Sequence, residues 1–211
     1  MSTFKIAGIC GSLRKESYNK KLILRAQKLC AEHVKGATIN IIDWSKLPVY
    51  NQDDEVDPPQ SVLDFRKELA DHDAILIATP EYNWSIPGPL KNALDWAEGA
   101  GITFNVTTGE KEPRPIGDRG QVFAGKAVAI IGASIGSAPG SPGSGRAQLA
   151  LRQALIFLDM IAVNQPSVTI SDASNAFKDD GSLTNKRFEI NIIKVLQNLV
   201  KLGKQLKTKP E

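Results

Sequence analysis

Short apolar runs alternate with amphipathic stretches along this chain of 211 residues. Five runs rich in Ile, Val and Ala predict strands: Phe4–Cys10, Ala37–Ile42, Ala74–Thr79, Ala127–Ala133 and Val163–Ile170. The first, third and fourth runs are apolar almost throughout, which is typical of strands buried on both faces of a sheet. The pattern therefore predicts a parallel sheet that is covered on both sides.

The stretches between these runs carry apolar residues at helical spacing. They predict five helices: around Leu22–Cys30, from about Pro59 to His72, from Pro87–Gly88–Pro89 onward, around Ala147–Leu158 and around Phe188–Leu202. Strands that alternate with helices form α/β units joined by right-handed crossovers, which leaves few topologies. We expect a flavodoxin-like, doubly wound five-stranded parallel sheet in the order 2-1-3-4-5, with residues 1–211 forming a single domain.

Composition and charge narrow the classes of function. Lys and Arg exceed Asp and Glu by 26 to 23, and this mild excess is explained more simply by a small anionic ligand than by nucleic acid. No apolar stretch approaches the ~18 residues that a membrane span needs, and the N-terminus lacks a secretory pattern. We expect a soluble, cytoplasmic protein without a membrane partner. Cys10 and Cys30 form no cluster, which predicts small buried apolar groups in a reducing compartment.

The first candidate ligand site follows the first predicted strand. In such sheets, ligands bind beyond the carboxyl ends of the strands, where the strand order reverses. The segment Gly11–Asn19 lies there and offers the hydroxyl groups of Ser12 and Ser17 and the charge of Arg14. Together with the amide of Asn19 and the N–H groups that begin a helix, they predict a phosphate site. The segment has neither the Walker A nor the G-x-G-x-x-G spacing, so a mononucleotide phosphate fits better. The alternative is a helix cap with a solvated arginine.

The second candidate site follows the third predicted strand, from Pro80 to Pro87. An aromatic turn bracketed by prolines offers flat surfaces and rigid backbone amides, which suit the edge of a planar ring. Tyr82 and Trp84 are the candidates to cover such a ring. The alternative, which the sequence leaves open, is that these aromatic side chains pack at a rim or a subunit interface.

The remaining ionisable residues do not predict a catalytic or metal site. His33 and His72 lie near predicted helix ends, so we expect solvated or capping roles. The acidic segment Asp53–Asp54–Glu55 has no partner ligands at metal-binding spacing, and we interpret it as a solvated loop. We therefore expect no metal.

Two motifs carry a family resemblance. They are Gly11–Ser12–Leu13–Arg14–x–x–Ser17–x–Asn19 and Pro80–Glu81–Tyr82–Asn83–x–Ser85–Ile86–Pro87–Gly88–x–Leu90–Lys91–Asn92–Ala93–Leu94–Asp95–Trp96. With Gly132–Ala133–Ser134 and Arg146–Ala147–Gln148 as a supporting block, they resemble the NADPH-dependent FMN reductase family. This family includes flavin, quinone and chromate reductases and some azoreductases, and the likeness spans nearly the whole chain.

The resemblance implies an oxidoreductase with FMN as cofactor and NADPH or NADH as donor. Hydride would pass from the nucleotide to N5 of FMN, and then to a broad acceptor such as a quinone, a flavin, an azo compound or a metal oxyanion such as chromate. The cofactor carries this chemistry, so no catalytic side chain is expected. Members of the family are commonly dimers or tetramers, which implies a homodimer or homotetramer here.

By the same resemblance, the first motif would hold the FMN phosphate, and the second would line the isoalloxazine largely through backbone atoms. The cofactor-binding candidates are Ser12, Arg14, Ser17, Tyr18, Asn19, Pro80, Glu81, Tyr82, Asn83 and Ser134. The substrate or nucleotide candidates are Trp84, Arg114 and Arg119. The two arginines cluster with Lys111 in the long polar segment Gly99–Gly125 and are our hypothesis for the 2′-phosphate of NADPH.

Two alternatives remain at this point: a flavodoxin-type electron carrier and a non-catalytic FMN-binding sensor module. Such carriers are usually strongly acidic, whereas this chain has a net charge of +3 and an arginine, Arg14, in its phosphate segment. All the polar residues of that segment are present, which argues against a site that has lost its function.

Overall fold

A computed structural model describes residues 3–98, 102–104, 111–113, 122–136 and 142–207, with the two shortest segments described as backbone only. The strands are β1 (Phe4–Cys10), β2 (Ala37–Ile41), β3 (Ala74–Ala78), β4 (Ile102–Phe104), β5 (Lys111–Pro113), β6 (Ala127–Ala133), β7 (Ile161–Ala162) and β8 (Thr169–Ile170). The helices are α1 (Tyr18–His33), α2 (Gln60–Ala70), α3 (Gly88–Glu98), α4 (Gly145–Phe157) and α5 (Lys186–Lys207), with a 3-10 turn at Gln52–Val56.

The main sheet is parallel and runs β2-β1-β3-β6, with β7 and β8 both paired to β6. Because β7 and β8 together take the fifth position, the predicted order 2-1-3-4-5 is confirmed. The chain reverses direction across the sheet between β1 and β3, and this switch point is where such folds bind ligands.

The prediction of one continuous fifth strand, Val163–Ile170, is wrong. The chain pairs with β6 at Ile161–Ala162, leaves the sheet and returns at Thr169–Ile170. Pro166 lies in the gap, and proline has no N–H group to donate to a strand ladder. Val168, one of the apolar residues that suggested a strand, is nonetheless fully buried.

The two faces of the sheet are covered by different helices. Ile6 of β1 packs among residues of α1 and α5, whereas Ala7 and Ile9 pack among residues of α2, α3 and α4. Successive side chains of a strand point to opposite faces, so a strand covered on both sides must be apolar throughout. Every residue of β3 and β6 is buried, which accounts for the continuous apolar runs in the sequence.

The long polar segment contains one element that the sequence does not predict. Strands β4 and β5 form an antiparallel pair in which Ile102 lies opposite Pro113, separate from the main sheet. Three-residue strands carry too few positions to show an alternating pattern. Among the residues that the structure describes, no helix combines the length and the hydropathy needed to cross a membrane.

Candidate active site

The loop between β1 and α1 (residues 11–17) leaves a group of backbone amides free. The amide of Gly11 donates to the carbonyl of Ala78 at 2.7 Å, which ties the loop to β3. Ser17 caps α1, and its Oγ accepts from the amide of Lys20 at 3.3 Å. Within the described chain, four loop amides donate to no protein acceptor: those of Ser12, Leu13, Lys15 and Glu16. Free amides at the start of a helix favour an anion.

Positive charge surrounds this loop. The Arg14 guanidinium donates to a backbone carbonyl of the loop and lies 5.2 Å from the centre of the Tyr18 ring. A cavity of about 410 Å³ adjoins the loop on its β2 side, where Arg14, Lys15 and Lys20 face a single carboxylate, Asp43. The net positive charge raises the local concentration of phosphate-bearing ligands.

Two residues of the first motif are engaged within the protein. The Asn19 side chain exchanges two hydrogen bonds with the backbone of Ala133, at 2.9 Å and 3.0 Å, and is buried. These bonds fix the start of α1 against the end of β6, so they leave the Asn19 backbone N–H, rather than its amide side chain, for a ligand. Tyr18 is half-buried and stacks on Phe177 with ring centroids 6.2 Å apart.

The loop between β3 and α3 (residues 79–87) contains a tight turn. Tyr82 and Ser85 exchange two backbone hydrogen bonds of 3.0 Å and 2.9 Å. Between them, Asn83 and Trp84 both have positive φ angles, 49° and 66°. This is the geometry of a turn that usually takes Asn-Gly, and a left-handed conformation costs a residue with a side chain ~1–2 kcal/mol.

The exposed groups of this turn are aromatic rings and amides. Tyr82 and Trp84 are 45% and 72% exposed, whereas Pro80 is buried at the end of β3 and accepts a hydrogen bond from the Thr79 hydroxyl. In the part of the chain that the structure covers, three amides here have no protein acceptor: those of Glu81, Asn83 and Trp84. Such amides can meet the polar edge of a planar ring.

Glu81 fastens this turn to α4. Its carboxylate accepts from the amides of Arg146 and Ala147, at 3.0 Å and 3.3 Å, and from the Arg146 guanidinium at 3.1 Å. The Glu81 side chain is only 10% exposed, and a carboxylate at a helix N-terminus is stabilised by the free amides and the helix dipole. The Arg146 guanidinium in turn lies 4.7 Å from the centre of the Trp84 ring.

The candidate residues converge at the carboxyl ends of β1, β3 and β6. Ser12 Oγ lies 3.5 Å from Tyr82 Oη, which joins the two loops. From the third loop, the Ser134 hydroxyl donates to the carbonyl of Gly143 at 2.9 Å. Free amides, hydroxyl groups, a guanidinium and exposed rings form a donor set that suits a phosphate at one end and a polar planar ring at the other, and these are the parts of FMN.

Residues 4–175 match the sequence profile of the NADPH-dependent FMN reductases. The chain belongs to this family. It is 39% identical over 211 residues to an NAD(P)H:quinone oxidoreductase of Solanum tuberosum, covering 98% of this chain and 96% of the relative. It is 40% identical to an NAD(P)H-dependent FMN reductase of Pseudomonas aeruginosa, covering 92% of each chain. The solved structure of FerB, a flavoenzyme NAD(P)H:(acceptor) oxidoreductase from Paracoccus denitrificans, has a TM-score of 0.77 and 31% identity, covering 96% of this chain and 98% of FerB.

This membership fixes the class of activity: the chain is an oxidoreductase that depends on FMN and NAD(P)H. Two of the residues predicted to bind the nucleotide, Arg114 and Arg119, lie outside the described residues. Trp84 is described, and its contact with Arg146 is not predicted by the sequence. The only sequence signal for Arg146 was its place in the supporting block Arg146–Ala147–Gln148.

The other ionisable groups near the sheet have structural partners. Burial raises the pKa of the Cys10 thiol, which lies under the β1–α1 loop, so the sulfur stays protonated and poorly nucleophilic. His72 is buried rather than solvated, and its ring bonds the carbonyl of Glu68 at 2.6 Å and the Asn40 amide at 3.0 Å. It therefore caps α2, one of the two roles expected. His33 is exposed beside Glu32.

The interpretation of Asp53–Asp54–Glu55 as a solvated loop is wrong for one residue. Glu55 is buried, and its carboxylate accepts a hydrogen bond of 2.6 Å from the Tyr50 hydroxyl. Burial, together with the Glu55 carboxylate, raises the pKa of Tyr50 to about 12. The half-buried Tyr50 gives the carboxylate a polar partner, which a pattern of consecutive acidic residues cannot reveal.

Proposed function

We propose that this protein holds FMN across the β1–α1 and β3–α3 loops and uses NADPH or NADH to reduce quinone-type acceptors. One observation carries the proposal: Ser12 and Tyr82, from two loops at the switch point of the sheet, meet at 3.5 Å and join a set of free amides to a set of exposed rings. The groups suited to a phosphate thus lie on one side of the Ser12–Tyr82 contact, and the groups suited to a planar ring lie on the other.

The phosphate would be held by the charge of Arg14, the hydroxyl groups of Ser12 and Ser17, and the free amides that precede α1. Ser17 would combine this role with its cap of α1. Asn19 would contribute its backbone N–H, and the Tyr18 ring would form one wall of the site. Charge-assisted hydrogen bonds to phosphate are roughly twice as strong as neutral ones, so Arg14 is the main contributor among the side chains.

The ring would be held mainly by backbone atoms of the β3–α3 loop. The free amides of Glu81 and Asn83 would meet its polar edge, Pro80 would fix the start of the turn, and Tyr82 would pack against the ring. Ser134 would close the opposite side from the β6–α4 loop. Glu81 fastens this turn to α4, and a turn that is held in place would lower the entropic cost of binding.

When bound, FMN supplies the redox chemistry by accepting a hydride equivalent from NAD(P)H and passing the electrons to the acceptor. The task of the protein is to bind, orient and exclude water. Of the described residues that line the two loops, none is a histidine, and the Cys10 thiol is kept protonated by burial. The described residues of the two loops therefore offer neither a histidine nor a reactive thiolate to the cofactor.

The names of two relatives bear on which acceptor the protein reduces. The relatives include a quinone reductase of Pseudomonas putida and a 2-hydroxy-1,4-benzoquinone reductase of a Burkholderia species. These names favour quinones over azo compounds, free flavin and chromate as acceptors here. Changing both Arg114 and Arg119 to Ala is expected to raise the Michaelis constant for NADPH more than that for NADH, and equal effects would exclude them as the 2′-phosphate site.

The experiment that tests the function is an anaerobic reduction of the FMN-loaded protein. Stoichiometric bleaching of the flavin by NADPH, followed by turnover when 1,4-naphthoquinone is added, is expected. Flavin that binds but is not reduced by NADPH would favour the electron carrier or sensor. A protein that binds no FMN would contradict the proposed site itself.

A homo-oligomer in the cytosol completes the proposal. Three apolar residues on one outer face of α4 are exposed, Leu149 at 67% and Ile156 and Phe157 at 79% each. A second copy would cover this face and remove it from water. Sedimentation should show that changing Ile156 and Phe157 to Ser dissociates the oligomer, whereas Leu24→Ser, on the exposed side of α1, should not. Both free cysteines are buried, which suits a reducing compartment.

A further inference from the structure

Trp84 is a large apolar side chain in a place where the fold does not need one. The other two tryptophans, Trp44 and Trp96, are 5% and 0% exposed, whereas Trp84 is 72% exposed. Its backbone φ of 66° is one that favours glycine. A ring that stays in water gains little from burial, so packing within this chain does not account for a strained tryptophan at the tip of a turn.

The exposed indole is nevertheless held in one direction. The Arg146 guanidinium lies 4.7 Å from the centre of the ring, and Glu81 holds that guanidinium with an ion pair of 3.1 Å. Glu81 is itself fixed, because it also accepts from the amides at the start of α4. We call Trp84, Arg146 and Glu81 the indole brace. A cation over one face of the indole leaves the opposite face for another planar group.

The brace lies at the edge of the proposed cofactor pocket. Trp84 is two residues from Tyr82, whose hydroxyl contacts Ser12 of the β1–α1 loop. Glu81 neutralises the charge of Arg146, so the brace offers a flat, electron-rich surface rather than a free positive charge. Such a surface favours planar, electron-poor rings and gives compact anions no advantage.

We propose that Trp84 determines acceptor specificity by stacking on planar aromatic acceptors, quinones in particular, while Arg146 and Glu81 act as positioning residues for the indole. This inference rests on the proposed function and deepens it. It adds Trp84 as a residue that contacts the substrate, at one of the two positions that the family pattern leaves open in the second motif.

The test uses three variants of the full chain loaded with FMN. Trp84→Gly and Trp84→Asn remove the ring with residues that tolerate a positive φ, and Trp84→Phe keeps a ring. Calorimetric titration of the oxidised protein with 1,4-naphthoquinone, without nucleotide, measures binding apart from turnover. We expect the dissociation constant to rise about tenfold in the Gly and Asn variants, equivalent to about 1.4 kcal/mol, and less than threefold in the Phe variant.

Turnover with two acceptors separates stacking from general damage. With NADPH as donor, the Gly and Asn variants should show a raised KM for naphthoquinone, whereas kcat/KM for ferricyanide, a compact anion, should stay within about twofold of wild type. Equal losses with both acceptors, or an unchanged naphthoquinone affinity, would overturn the proposal. If the wild type failed to turn over naphthoquinone with NADPH, the proposed function would fail, while the titration would still report on Trp84.

Two further measurements exclude a purely structural role for the ring. The Gly variant should unfold at the same temperature as the wild type or up to about 2–4 °C higher, because it relieves the strained turn. It should also sediment as the same species as the wild type. A lower unfolding temperature would show that the indole stabilises the fold, and a change of oligomeric state would show that it packs on another subunit. Either result would refute the specificity role.

Discussion

The β1–α1 loop and the β3–α3 turn meet at Ser12 and Tyr82, yet different kinds of contact hold them. The first is tied to the sheet at its ends by Gly11 and Asn19. Between these ends its bonds are local, since Ser17 caps α1 through Lys20 and donates its amide to the carbonyl of Arg14. The second is ordered by Arg146, which lies 65 residues from Glu81 in the sequence. Between its ends the first loop thus follows from local contacts, whereas the second is braced by a distant segment of the chain.

This difference separates two tasks. A loop ordered by local capping can offer free amides to a phosphate wherever β1 ends, and the same short motif serves for it in many sequences. A turn that must direct rings and amides at a planar group needs a rigid support, and the support here comes from another part of the chain. Breaking the non-local contacts should therefore cost folding stability, whereas breaking the local ones should cost ligand affinity.

The largest expected effect follows from Gly132→Ala, at the end of β6 behind both loops. A Cβ at Gly132 would overlap the carbonyl oxygen of Thr79 and the hydroxyl of Ser144. The Thr79 oxygen belongs to the backbone, so it cannot move aside as a flexible side chain could. We expect a loss of roughly 3 kcal/mol in the free energy of unfolding, measured with urea. Gly88→Ala is the matched control, since its Cβ would meet nothing within 4 Å. Equal stability of the two variants would contradict the close approach of β6 to the β3–α3 loop.

Glu81→Ala should have the next largest effect. It removes the cap of α4 and leaves Arg146 without its partner, which is expected to lower the free energy of unfolding by about 2 kcal/mol. Asp95→Ala breaks an exposed pair with Lys91 at 2.7 Å on α3 and should cost about 0.5 kcal/mol or less. Urea titrations that place both variants at the same stability would show that Glu81 does not brace the turn.

Arg14→Ala tests the local side of the comparison. The fold should keep its stability, while the dissociation constant for FMN should rise about tenfold, which corresponds to about 1.4 kcal/mol for a partly exposed charged hydrogen bond. Quenching of flavin fluorescence measures this affinity. Lys28→Ala removes the same charge from an exposed site further along α1 and should change the affinity less than twofold. Indistinguishable effects would mean that general charge, not the loop, attracts the phosphate.

The smallest effect appears only at high pH and concerns the segment that supports α3. Tyr50 donates its amide to Asn92 of α3 at 2.6 Å and its hydroxyl to Glu55. Burial and the Glu55 carboxylate raise the pKa of Tyr50 from 10.0 to about 12, so the phenol stays protonated in the fold when the unfolded chain already ionises. This contribution is complete below pH 10 and is lost as the pH rises toward 12.

Ultraviolet titration of phenolate absorbance, combined with urea unfolding at several pH values, checks this expectation. Tyr50→Phe should remove the phenolate absorbance that develops near pH 12 and make the stability less dependent on pH between 10 and 12. If the absorbance that the variant loses instead develops near pH 10 in the wild type, Tyr50 ionises like a solvated phenol.

The sequence predicts what depends on local pattern and misses what depends on contacts between distant segments. Strands β1, β3 and β6, the helices and the strand order follow from apolar periodicity, because buried strands must be apolar on both faces. The interruption is missed because the pattern joins Val163, Val168 and Ile170 into one strand across the polar segment that contains Pro166. The assignment of residues 1–211 to one domain stays a prediction.

The site shows the same division. The polar residues of the β1–α1 loop are recognisable from their types and spacing, and so are the rings of the β3–α3 turn. Three features have no local signal: the positive φ of Trp84, the pairing of Glu81 with Arg146, and the use of the Asn19 side chain by Ala133. Each joins or depends on groups that only the folded sheet brings together.

The divided outer strand, β7 and β8, has a consequence for how the protein behaves in a crowded solution. An uninterrupted strand at the border of a sheet presents a row of unpaired N–H and C=O groups on which another chain can add a strand and begin to aggregate. Here the border consists of two strands of two residues each, separated by a segment that contains Pro166. Neither is long enough to template a partner strand, so the irregularity that weakens one side of the sheet also protects that edge from strand addition.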